Sequence, residues 1–147
     1  MHNRAHPSGF TLIEILIALS TIAALAVVAL PLYVSLQTRN DLDVAATEVV
    51  SSERRAQTLA QAGSGDTSWG VSIQAGTIVL FQGTSYASRT VASDEIFTMP
   101  STITPSGLTE IVFTKFTGTP ASVGTTTLTS VGGVRNIGIN AVGTINY

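Results

Sequence analysis

Apolar residues form an almost unbroken block near the start of the chain, from Phe10 to Leu36. This block has 27 residues, of which 21 are apolar, and Glu14 is its only charged residue. The 22 residues from Ile15 to Leu36 carry no charge. As a helix they would be about 33 Å long, and the hydrocarbon core of a bilayer is roughly 30 Å thick. The pattern therefore predicts a transmembrane helix over residues 10–36.

Helical periodicity continues beyond this block, now with one apolar face. Charged and polar side chains, Glu53 among them, fill the other faces, which we interpret as solvated, although Ser52 interrupts the apolar face. Gly63 is a typical helix stop. The pattern predicts one helix over about residues 11–62, with an amphipathic part over 37–63. The apolar positions are Leu42, Ala45, Ala46, Val49, Ala56, Leu59 and Ala60.

Residues 64–147 have a different character, with 16 Thr and 11 Gly. Short β-branched runs alternate with turn residues, which predicts an antiparallel β head. Because a head of this size has a thin core, we expect the amphipathic part of the helix to complete it. The predicted fold class is α+β, a long N-terminal helix packed against antiparallel sheet. The expected strands are 69–73, 78–81, 95–99, 108–116, 125–131, 134–140 and 143–146, and the expected loops are 84–94 and 102–107.

Composition excludes most catalytic and metal chemistry. Charged residues make up 11 % of the chain, the net charge is −2, and there is no Cys. The two His residues, His2 and His6, lie within the first nine positions. Asp94 and Glu95 are sequence neighbours, whereas a glycosidase needs two carboxyl groups that face each other across a cleft. The sequence therefore predicts no enzyme activity, no cofactor and no metal site.

Basic residues beyond the first nine positions are few and scattered. There are six, against nine acids in the whole chain, which gives a weak footprint for nucleic acid. Arg89, Lys115 and Arg135 would form a DNA-contact patch if the strands bring them together. Nucleic-acid binding is otherwise disfavoured.

The start of the apolar block, Gly9-Phe10-Thr11-Leu12-Ile13-Glu14 and then Ile15 to Leu19, resembles the type IV prepilin motif. The resemblance implies that a prepilin peptidase removes residues 1–9 as a leader, cutting between Gly9 and Phe10, and methylates the Phe10 amine. It also implies that Glu14 is the assembly glutamate, which pairs with a neighbouring subunit's N-terminus, and that Pro31 is a helix-kinking proline. Such a pair would neutralise two charges that are costly in lipid.

Three segments of the head, taken in order, are similar to the GspH/FimT-type pseudopilin domain. They are residues 69–71, residues 113–116 with Gly118, and residues 135–140 leading to Gly143. The resemblance implies two antiparallel sheets packed on the second half of the helix. DNA-binding members carry Gly-Arg-x-Arg near the C-terminus, whereas this chain has Gly-Thr-Ile-Asn at residues 143–146.

Together these resemblances imply a structural subunit, a minor pseudopilin or pilin of a type II secretion pseudopilus or a type IV pilus. Its expected partners are other pilin or pseudopilin subunits, the prepilin peptidase, the inner-membrane assembly platform and membrane lipid. Arg4 before the apolar block, and Asp41 and Asp43 after it, predict a single-pass inner-membrane protein with a cytoplasmic N-terminus and an extracytoplasmic head. The alternative is a competence-type minor pilin that binds DNA during uptake.

Overall fold

The computed structural model describes residues 9–147, except for the side chains of residues 28–32. Helix α1 runs from Leu12 to Gln61, which confirms the helix expected over about residues 11–62. It is followed by Gly63, whose φ of 64° is the left-handed conformation in which glycine commonly ends helices. The leader residues 1–8 and the side chain of Pro31 lie outside the described residues, so the kink expected at Pro31 stays a prediction.

Within residues 9–147, eight strands follow the helix and form two antiparallel sheets of four strands each. The first sheet has the order β3-β2-β1-β5 and the second the order β4-β6-β7-β8. The predicted α+β class with antiparallel sheets is confirmed. The strands are β1 Trp69–Gln74, β2 Thr77–Gln82, β3 Glu95–Thr98, β4 Thr104–Gly107, β5 Glu110–Phe113, β6 Gly124–Ser130, β7 Gly133–Ile139 and β8 Ile145–Asn146.

The segment 102–107, expected to be a loop, contains strand β4, so that prediction was wrong. Pro105 and Gly107 are poor strand formers, but β4 is an edge strand that pairs only with β6. The Leu108 N–H donates to the Thr125 carbonyl. Because hydrogen-bonded and non-hydrogen-bonded pairs alternate between antiparallel strands, this bond shows which residues of β4 bond to β6. By that alternation the main chain of Pro105 points away from β6. A residue without an N–H is tolerated at such a position.

The chain divides into two compact units between Ser35 and Leu36, and the core belongs to the second, which we call the head unit (Leu36–Tyr147). Its buried residues come from α1 and from both sheets, and the predicted apolar face of the helix is confirmed. Helix residues in this core are Leu42, Ala45, Ala46, Val49, Val50, Ala56 and Ala60, and sheet residues include Trp69, Val71, Ile73, Ile78, Leu80, Ile111, Phe113, Leu128, Ile137 and Ile139.

One glutamine of α1 holds a loop of each sheet. The Gln57 Nε2 donates to the Gly118 carbonyl, after β5, and to the Gly143 carbonyl, between β7 and β8, both at 3.1 Å. Gly143 has a φ of 81°, and a Cβ there would lie 2.3 Å from the Gln57 Nε2. Only glycine fits this position without strain. Gln57 therefore fixes the position of both sheets relative to the helix.

Glu53 lies on the buried face of α1, so its expected place on a solvated face was wrong. It is 0 % exposed, and in the described part of the chain its carboxyl oxygens have no hydrogen-bond partner. Glu53 follows Val49 by four residues and precedes Ala56 by three, so the helical period places it on the apolar face. Desolvation raises the pKa of Glu53 from 4.5 to about 8. At neutral pH its folded-state side chain is therefore mainly a protonated acid.

Glu53→Gln is expected to raise the free energy of unfolding by about 3 kcal/mol at pH 7. The folded state binds the Glu53 proton up to a pKa of about 8, whereas the unfolded state releases it near 4.5. The contribution of Glu53 to the free energy of unfolding is therefore greatest below pH 4.5 and falls as the pH rises from 4.5 to about 8. Denaturant unfolding of the full chain in detergent, repeated across the window, measures the slope.

Glu48→Gln, on the same helix but at a partly exposed position, is the matched control for the Glu53 experiment. The Glu48→Gln variant should keep the fall in the free energy of unfolding that Glu53 produces between pH 4.5 and 8. If Glu53→Gln and the unaltered chain share one slope between pH 4.5 and 8, Glu53 does not carry the proton uptake assigned to it.

Candidate functional site

Thr11 and Glu14 bond to each other at the start of α1. The Glu14 N–H donates to the Thr11 Oγ1 at 3.3 Å. The Glu14 Oε2 in turn accepts from the Thr11 N–H at 3.4 Å and from the Thr11 hydroxyl at 3.5 Å. This reciprocal arrangement is a capping box, which satisfies N–H groups that a helix start otherwise leaves free. This capping box was not predicted for Glu14 from the sequence, although the spacing Thr-x-x-Glu is the sequence signature of a capping box.

The bond between Gly9 and Phe10 is in exposed chain just before α1. A Cβ built on Gly9 would meet nothing within 4 Å, and Phe10 is 81 % exposed. Residues 9–11 have no regular secondary structure. Exposed chain without regular secondary structure is readily accessible to a peptidase.

The first part of α1 presents apolar side chains without packing partners. Every residue from Leu12 to Val27 is exposed. A groove of about 320 Å³ lies along this part of the chain, and Glu14 and Ala18 are among its lining residues. The other lining residues are Phe10, Ile15, Leu19 and Ile22.

Over the residues that the structure describes, no helix has both the length and the apolar character needed to cross a membrane.

Of the three cations proposed for DNA contact, Arg89 lies in the loop after β2. Its Nε donates to the Asp94 Oδ2 at 2.8 Å, and its guanidinium lies 3.8 Å from the centroid of the Tyr86 ring. The hydrogen bond that Arg89 donates to Asp94 raises the pKa of Arg89 above its ordinary value. Arg89 is thus held by a carboxylate on one side and an aromatic ring on the other.

Lys115 and Arg135 are also paired with acids. The Lys115 Nζ donates to Asp66, which follows the helix, and the Arg135 Nε, on β7, donates to the Asp43 Oδ1 of α1 at 2.6 Å. The hydrogen bond to Asp43 raises the pKa of Arg135. The three cations therefore lie on three separate elements, and each has a carboxylate of its own. Phosphate contacts would have to replace these ion pairs.

Acidic residues in the head unit are likewise distributed rather than gathered. Asp94 pairs with Arg89, whereas its neighbour Glu95 accepts from the Arg55 Nη2 at 2.7 Å. Glu110 accepts from the Tyr86 N–H at 2.8 Å. Among the described residues, no three His, Cys, Asp or Glu side chains come together as metal ligands.

We expect the full chain not to retard duplex DNA at about 0.15 M salt, because its candidate cations are neutralised by neighbouring carboxylates. Electrophoretic mobility shift over a salt series measures this. Asp43→Asn, which frees Arg135 on β7, should increase any retardation seen at lower salt. Salt-dependent binding by the unaltered chain that disappears in Arg135→Ala would contradict the expectation.

No family model, curated protein or solved structure matches this chain.

Proposed function

We propose that this chain is a prepilin-class filament subunit, a minor pseudopilin or pilin that assembles into a type II secretion pseudopilus or a type IV pilus. The observation that carries the proposal is the motif of residues 9–19, which lies at the exposed start of a helix with apolar side chains. The head supports it as well, since two antiparallel sheets pack on the second part of α1, as the pilin-like arrangement requires.

Processing is the first step of this function. A prepilin peptidase cleaves between Gly9 and Phe10 and methylates the new Phe10 amine. Thr11 and Glu14 both lie after the cut, so the capping box survives it. The new ammonium then lies beside the positive end of the helix dipole, which is unfavourable. A carboxylate close to that ammonium offsets the cost.

Assembly uses the same helix. Before assembly the subunit is a single-pass inner-membrane protein with a cytoplasmic N-terminus, and lipid covers the apolar side chains that α1 exposes between Leu12 and Val27. In the filament, neighbouring subunits replace lipid, and the Phe10 ammonium of one subunit pairs with Glu14 of another. An external ATPase motor supplies the work of extraction, and the inner-membrane assembly platform is a partner in assembly. The head lies on the filament surface or at its tip.

The chain purified from its native membrane is expected to begin at N-methylated Phe10. Intact-mass and N-terminal fragment spectra measure this directly, and Gly9→Ala, which alters the residue before the cut, is expected to leave the leader attached. A native chain that retains residues 1–9, or one that begins elsewhere, would remove the main support for the proposal.

Glu14→Gln is expected to reduce filament incorporation by about ten-fold, because it removes the charge that pairs with a neighbour's ammonium. Glutamine still accepts hydrogen bonds in a capping box, so the helix start is retained. Thr11→Ala makes the opposite change, since it removes the cap and leaves the charge. Incorporation of both variants is measured as the amount of subunit in sheared filaments relative to the amount left in the membrane.

If Glu14 acts only as a helix cap, Thr11→Ala will be defective in filament incorporation, and Glu14→Gln will assemble normally. That pattern would disprove charge pairing while leaving the family proposal standing.

A further inference from the structure

Two of the four sheet edges in the head unit, β4 and β5, are protected against added strands, and β8 at a third edge pairs with only Gly138 and Ile139 of β7. At β5, the Ala121 N–H donates to the Val112 carbonyl and the Thr114 N–H donates to the Thr119 carbonyl, so the following loop covers that edge. At β4, Pro105 points outward and has no N–H to offer. Strand β8 is only two residues long.

The edge at β3 is open. The Met99 N–H donates to the Gly76 carbonyl at 3.0 Å, and in the antiparallel register this places the bonded pairs at Met99 and Phe97. The main-chain groups of Ile96 and Thr98 therefore point away from β2. Within the described part of the chain, no residue bonds to them. Two N–H groups and two carbonyls are thus available at an exposed edge.

A groove of about 320 Å³ lies beside this edge, between α1 and β3. It has exposed apolar side chains on both sides, with Val44 60 % and Ile96 64 % exposed. Glu48 also lines it, and no cation among the described residues pairs with the Glu48 carboxylate. Ala45, Phe97, Thr98 and Pro100 complete the lining.

We propose that this edge and groove bind an extended segment of a partner protein, which adds a fifth strand to the first sheet. The segment bonds to the main chain of Ile96 and Thr98, as in other cases of strand addition. Apolar side chains at alternate positions enter the groove, and a Lys or Arg of the segment pairs with Glu48. This binding goes beyond filament assembly through α1 and does not depend on it.

Charge complementarity favours a basic partner over a second copy of this chain. The β3 strand of a second copy would bring residues 94–98, which carry Asp94 and Glu95 and no base. Both acids are already paired within one chain, with Arg89 and Arg55. A second copy would therefore bring no free cation to Glu48, which disfavours that pairing.

Selection from a displayed library of short linear peptides on the full chain in detergent is the primary test. The enriched peptides should alternate apolar and polar residues and carry Lys or Arg. If no peptide is enriched, or if acidic peptides are, the proposal is overturned.

Two variants at Ile96 then locate the binding. Ile96→Ala removes the side chain but keeps the outward N–H. Ile96→Pro removes the N–H as well. Position 96 should tolerate proline because its N–H takes no part in the hydrogen bonds between β2 and β3. Enriched peptides should bind Ile96→Pro about ten-fold more weakly than Ile96→Ala. Fluorescence anisotropy measures the affinities, and equal affinities would place the peptide elsewhere.

Glu48→Gln keeps the test decisive if Ile96→Pro does not fold. It should weaken binding of the basic peptides and flatten the salt dependence of their affinity, and an unchanged affinity would contradict the assigned cation partner. Sedimentation of the full chain tests whether a second copy of this chain occupies the β3 edge instead. Self-association that is lost in Ile96→Pro would replace the basic partner with a second copy.

Discussion

The packing of one face of α1 against two sheets is the interaction on which the head unit depends. The 84 residues that follow position 63 form two small sheets, and sheets of this size enclose too little apolar area to be stable alone. Small helix residues such as Ala46, Ala56 and Ala60, all 0 % exposed, allow both sheets to approach the helix closely. Gln57 then bonds to a loop from each sheet, so the helix also determines where the sheets lie.

Periodicity was sufficient for the main elements because their burial follows local pattern. It located the buried helix face, and it located the strands expected at 69–73 and 78–81, which are β1 and β2 and pair with each other. It failed where tertiary position overrides residue type. Pro105 argues against a strand unless its missing N–H faces outward, which depends on where β4 lies in the sheet. Glu53 was assigned to solvent as a charged residue, although its helical phase already placed it on the apolar face.

The candidate site also has a part that could be predicted from local sequence and a part that could not. The motif around Glu14 is contiguous, so its role could be proposed from the sequence and stays a prediction, whereas the Thr11 cap has an equally local signature and is seen in the structure. The state of the cations was not predictable, since Arg135 and its partner Asp43 are 92 residues apart and meet only because β7 packs on α1. A count of bases and acids cannot show which of them neutralise each other. Spatial pairing makes the three predicted DNA contacts into three separate ion pairs.

Helix capping and the proposed subunit pairing both use the side chain of Glu14, yet they do not compete for the same atom. Both contacts from Thr11 use the Glu14 Oε2, at 3.4 and 3.5 Å, and the Oε1 has no partner among the described residues. These hydrogen bonds are long and therefore weak. A carboxylate has acceptor sites on both oxygens, so an ammonium can bind the Oε1 while the cap persists. Under the proposed assembly, the cap holds Glu14 oriented at the helix start before a neighbour arrives, which lowers the entropy lost when the pair forms.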